Sequence, residues 1–256
     1  MLSNRLKGKV AIVTGIGSGI GRGCALMFAK HGAQVMSCDI DPITAEEGLE
    51  LARKDQLAVS SIHPCDLTNP QDVERLVGAT VERFGGVDIL VNAAAFGAFA
   101  PIQEMDYESQ WRRTLTGELD VVFLACKAVW PRMIARGGGS IINFASANAH
   151  VVLRGSPALA HCAGKGGVLA MTRQLALEGA EHGIRANTIS PALVVTSATA
   201  PRLQDPGFTA AVLAKSMIQR LGQPEDVAWC AVYLASDEST WVTAADFRID
   251  GGATHC

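Results

Sequence analysis

Short runs of consecutive apolar residues punctuate the chain, at positions 10–14, 35–38, 58–62, 89–92, 141–145 and 186–190. Continuous rather than alternating hydrophobicity is what strands buried on both faces require. Between them lie longer stretches with helical spacing, such as 24–31 and 73–84. Strand and helix alternating from end to end predict an α/β protein: a Rossmann-like, doubly wound parallel sheet with right-handed crossovers and helices on both sides. The Pro/Gly clusters at 136–139 and 222–224 are loop-length, so residues 1–256 read as a single domain. The stretch 191–217, rich in Ala, Thr and Pro and without a clear strand, is the expected substrate lid.

Composition narrows the partners. A chain of 256 residues with 48% hydrophobic content is long enough for one large core. A formal net charge of -3 with no basic run argues against a nucleic-acid surface and for a small-molecule substrate. No run approaches the roughly 18 apolar residues of a membrane span. The polar, basic start (1–10) lacks a secretory pattern, so the expected location is cytoplasmic. Cysteines stand singly at 24, 38, 65, 126, 162, 230 and 256 with no Cys-x-x-Cys, which suggests neither a disulfide framework nor a metal site.

The first chemical motif is Thr14-Gly15-Ile16-Gly17-Ser18-Gly19-Ile20-Gly21, placed directly after the first strand and opening the first helix. Glycines there let the backbone approach a pyrophosphate, whose charge is met by the free N–H groups and positive dipole end of that helix. Asp39 follows at the end of the second strand, where an acid accepts hydrogen bonds from the adenosine ribose and repels a 2′-phosphate. No arginine stands between 15 and 19 to hold an extra phosphate, so the expected cofactor is NAD rather than NADP. The alternative is that Asp39 or Asp41 only caps the next helix, ahead of Pro42.

The spacing of that loop resembles the Thr-Gly-x-x-x-Gly-x-Gly of the short-chain dehydrogenase/reductase family. Asp66-Leu67, Asn92-Ala93-Ala94-Ala95 and Pro191 to Thr196 are similar to further segments of that family, in the same order, and the terminal Arg248-Ile249-Asp250-Gly251-Gly252 resembles its last strand. The resemblance implies cofactor contacts from Gly15, Ser18, Gly19, Ile20, Asp39, Asp66, Leu67, Asn92, Lys165, Pro191, Val194 and Thr196. It also implies a homotetramer. Strand 141–145 leads to Ser146, which resembles the family's catalytic serine, and Ala160-His161-Cys162-Ala163-Gly164-Lys165 resembles its active-site helix. In the family a tyrosine precedes that lysine by four residues, and an asparagine follows a tryptophan by seven. Here the corresponding residues are His161 and Glu118.

The catalytic candidates are therefore Ser146, His161, Lys165 and Glu118. Histidine is a competent acid or base near neutral pH. Glu118 either pairs with Lys165, orients the imidazole as carboxylates do in other sites, or is itself the base. Three readings remain open. One is an NAD(H)-dependent oxidoreductase interconverting a secondary alcohol and a ketone, with a variant proton-transfer site. Another is a non-redox lyase or isomerase that retains NAD, with His161 and Glu118 as acid and base. The third is a non-catalytic cofactor-binding protein. Residues 94–99, 151–153 and 193–195 are apolar or small and predict a largely apolar ligand, to which Arg154 or Arg202 would add recognition of an acid group.

Overall fold

A computed structural model describes residues 4–153 and 155–255 of the chain. Arg154 and the first three residues of the basic N-terminal segment lie outside the described residues. Among the described residues a seven-stranded parallel sheet is built from β1 (Val10–Thr14), β2 (Gln34–Cys38), β3 (Val59–Ile62), β4 (Ile89–Asn92), β5 (Gly139–Phe144), β6 (Ile184–Pro191) and β7 (Asp246–Ile249). Their order is β3-β2-β1-β4-β5-β6-β7. The connecting helices are α1 (Gly19–Lys30), α2 (Pro42–Lys54), α3 (Pro70–Phe84), α4 (Arg113–Leu115), α5 (Val121–Arg136), α6 (Leu159–Gly179), α7 (Ala200–Leu203), α8 (Pro206–Leu213) and α9 (Pro224–Ala235).

Both faces of the sheet are covered, which explains the unbroken apolar runs. Ala11 and Val13 of β1 pack with Cys24 and Phe28 of α1 and with Val227 and Ala231 of α9. Their neighbour Ile12 points the other way, into a second core with Leu76 of α3, Val129 of α5 and Val168 of α6. The strand order reverses between β1 and β4, and there the loops leaving the two carboxyl ends separate to form a crevice.

One expectation is corrected. The last strand runs Asp246–Ile249 rather than 248–252, because the Asp250 carboxylate accepts the N–H groups of Gly252 and Thr254, each at 2.9 Å, and turns the chain. The 191–217 segment carries two short helices, α7 and α8, the second capped by the Asp205 carboxylate on the N–H of Gly207. Among the described residues no helix is long and apolar enough to cross a membrane.

Candidate active site

The glycine loop joins β1 to α1. A side chain at Gly21 would collide with the carbonyl oxygens of Thr14 and Gly15, so only glycine lets the helix start against the loop. The two acids after β2 divide their tasks. Asp41 caps α2, its carboxylate accepting the N–H of Ile43 at 2.8 Å with Pro42 next in the chain. Asp39 instead crosses to the glycine loop and accepts the Gly17 N–H at 2.7 Å. A cleft of about 250 Å³ is walled by Gly15, Ser18, Asp39, Asp66 and Leu67. Thr14, which opens the glycine motif but was given no role there, clamps this edge: its hydroxyl accepts the N–H groups of Ala93 and Ala94 at 2.9 and 3.0 Å.

Ile20, Lys165, Pro191, Val194 and Thr196 wall a second, larger cavity of about 960 Å³ that shares Ala93, Ala95 and Phe96 with the first. Gly19 packs directly against Thr196. Asn92 stands apart from these residues. Its amide is buried between strands, donating to Asn143 Oδ1 at 2.8 Å, and it lines neither cavity. A glycine cradle, an acid beside it and a buried lysine on the continuing wall fit the phosphates and ribose hydroxyls of a dinucleotide.

At the far end of that wall three side chains converge from three elements. Ser146 follows β5, and its hydroxyl accepts the Asn148 N–H at 3.1 Å. His161 lies in the first turn of α6, with Nε2 3.3 Å from Ser146 Oγ and Nδ1 2.5 Å from Glu118 Oε1. A carboxylate only accepts, so with a neutral ring Nδ1 carries the proton and Nε2 presents its lone pair to the serine. Glu118 comes from a π-helical turn, Thr116–Asp120, between α4 and α5, and is 4% exposed.

That carboxylate has room because position 164 has no side chain: a Cβ there would overlap Glu118 Oε2. Sequence reading did not single out Gly164. Oε2 itself has no hydrogen-bond partner among the described residues. Lys165 turns away from Glu118 and donates to the Phe144 carbonyl at 3.0 Å. Burial lowers its pKa below the ordinary lysine value of 10.5, a shift the nearby Glu118 charge partly offsets.

The cavity above the three residues is mainly apolar, with Phe96, Phe99, Val151, Leu153 and Leu193 in its walls. The Phe99 ring lies 5.5 Å from the His161 ring. Arg202 also faces this cavity, its guanidinium 4.1 Å from the Phe208 ring centroid and held by Ser156 Oγ and the Gly155 carbonyl at 3.3 Å each.

A doubly wound sheet with a glycine cradle and polar side chains gathered at its carboxyl edge defines a dinucleotide-binding α/β enzyme. A family model described as enoyl-(acyl carrier protein) reductase matches residues 15–254. The chain belongs to the short-chain dehydrogenase/reductase family, and it is an enzyme of that type. It is 38% identical over 252 residues to a D-threitol dehydrogenase of Mycolicibacterium smegmatis, covering 98% of this chain and 94% of the relative. It is 33% identical over 250 residues to an NAD-dependent glycerol dehydrogenase of Listeria innocua, covering 96% and 94%. A solved structure of a 7α-hydroxysteroid dehydrogenase with NADH and 7-oxo glycochenodeoxycholic acid superposes with a TM-score of 0.91 at 31% identity, covering 98% of this chain and 96% of that one.

Proposed function

We propose that the protein is an NAD(H)-dependent oxidoreductase that interconverts a secondary alcohol and a ketone on a largely apolar small molecule, with a Glu118–His161–Ser146 relay as its proton-transfer site. The observation that carries the reading is this aligned set, with contacts of 2.5 and 3.3 Å, beside an apolar cavity continuous with the dinucleotide cleft. Relatives named for threitol and glycerol oxidation, and a neighbour solved with NADH and a 7-oxo bile acid, support the reaction class.

In this reading Ser146 Oγ holds the substrate oxygen and His161 Nε2 takes the hydroxyl proton, directly or through Ser146. Glu118 stabilises the positive charge that then forms on the ring. Lys165 binds the nicotinamide ribose, and Asp39 binds the adenosine ribose while opposing a 2′-phosphate. Bound NAD supplies the hydride acceptor. Of the chain's seven cysteines, the six among the described residues are free thiols, which favours a reducing, cytoplasmic setting.

The test is turnover of a panel of alcohols, including threitol, glycerol, cyclohexanol and a 7-hydroxy bile acid, followed as NADH formation. His161→Ala is expected to lower turnover by about 10² to 10⁴ while NAD binding is retained. Full activity in that variant would refute the relay. Product formation without net NADH would replace the reading with the lyase or isomerase, and NAD binding without any turnover would replace it with the binding protein.

A further inference from the structure

We propose that the same three residues give the protein a second, cofactor-independent activity: hydrolysis of esters of apolar acids, with Ser146 as nucleophile. A nucleophilic serine needs a base on its hydroxyl and a third group that fixes the base. Both contacts are in place. His161 Nε2 stands 3.3 Å from Ser146 Oγ, within the looser range seen before substrate binds, and Nδ1 is held at 2.5 Å by a carboxylate that is 4% exposed.

The arrangement goes further than alcohol oxidation requires. A proton acceptor for an alcohol has only to face the substrate, whereas here the ring is fixed between serine and glutamate so that its free lone pair points at the serine oxygen. The carboxylate borders the same cavity but is 4% exposed and packed against Gly164, with Oε1 committed to the ring. Ser146, His161 and Lys165 line one apolar cavity of about 960 Å³, which suits the acyl chain. The buried Lys165 ammonium donates to the Phe144 carbonyl and, lining the same wall as Ser146 and His161, is a cation able to offset charge developing on a carbonyl oxygen.

The reaction closes with water alone. Ser146 Oγ forms a bond to the ester carbonyl carbon as its proton passes to Nε2. The bond to the alcohol oxygen breaks, and that oxygen takes the proton. Water, deprotonated by Nε2, then attacks the acyl-serine, releasing the carboxylic acid and restoring the hydroxyl. One ester and one water give one acid and one alcohol.

The experiment uses the full chain without nicotinamide, with p-nitrophenyl butyrate as substrate and a fluorophosphonate as covalent probe. Ester cleavage is expected to fall at least about 100-fold in Ser146→Ala and in His161→Ala, and about 5-fold in Glu118→Gln, with the probe adding one adduct on Ser146 by peptide mass mapping. Cleavage that survives in Ser146→Ala, or a probe adduct absent from Ser146 in protein that still binds NAD, would overturn the proposal. Because no cofactor enters the assay, the result stands or falls separately from alcohol oxidation.

Discussion

Glu118→Gln isolates the charge of the relay. The amide oxygen still accepts the Nδ1 proton, so the ring keeps its tautomer and aim, and only the negative charge is lost. A hydrogen bond to a charged group contributes about 1.5 to 3 kcal/mol and a neutral one about 0.5 to 1.5. With the 2.5 Å contact buried, the transition state in which the imidazole turns positive loses about 1 to 2 kcal/mol, a roughly 5- to 30-fold fall in kcat. Stability should respond differently. Glu118 Oε2 has no hydrogen-bond partner among the described residues, so the native carboxylate is already under-satisfied, and replacing it with a neutral amide should move the melting temperature by no more than about 4 °C. Steady-state NADH formation on the best alcohol of the panel, paired with thermal melting, reads both effects. A kcat within threefold of the parent, or a melting temperature lowered by more than about 10 °C, would refute the reasoning.

Calorimetric titration should show tighter binding of NADH than NADPH, and Asp39→Ala should narrow the gap; equal affinities in the parent would show that the acid only braces Gly17. Lys165→Ala should weaken NAD binding by about 1 to 3 kcal/mol, measured in the same titration. Since burial lowers the Lys165 pKa below 10.5, the folded protein releases this proton before the unfolded chain does. Between the two values the unfolded state binds more protons, so this residue's contribution to apo stability rises with pH while NAD-induced stabilisation falls; melting curves with and without NAD up to pH 10.5 should converge. Gly164→Ala should cost about 1 to 3 kcal/mol in melting experiments and lower activity, because the added methyl displaces Glu118; a silent substitution would mean that the carboxylate has space elsewhere.

The architecture was legible because its signal is repeated along the chain. The central strands are apolar runs buried on both sides, and runs 10–14 and 89–92 coincide with β1 and β4, whereas the edge strands β3 and β7 are only half-buried. Others grew at one end, as where Gly139 pairs with Ile184, because a partner strand extends a ladder past the apolar residues. Alternatives that rest on direction rather than residue type needed coordinates. Asp39 and Asp41 are equally good caps on paper, and Asp39 is drawn to Gly17 only once β2 lies beside β1. Glu118 had two basic candidates in reach, and the choice of His161 over Lys165 follows from the Phe144 carbonyl taking the lysine. Asn92 belongs to a matching motif, yet its amide faces Asn143 because odd and even strand positions point to opposite faces. Gly164 gave no signal, since a helical glycine reads as a weakness until the side chain it admits is seen.

The helical segment that delivers Glu118 contains two π-turns, Tyr107–Arg112 and Thr116–Asp120, around the short α4. Each wide turn takes up residues that a regular helix would place elsewhere, and one residue corresponds to about 100° of rotation about the axis. The aim of the glutamate is therefore set by how many residues precede it as much as by which residues they are. Scanning this segment by substitution would leave that dependence invisible. Removing a single solvent-facing residue such as Glu108 would swing position 118 away from the imidazole while leaving every member of the relay in the sequence.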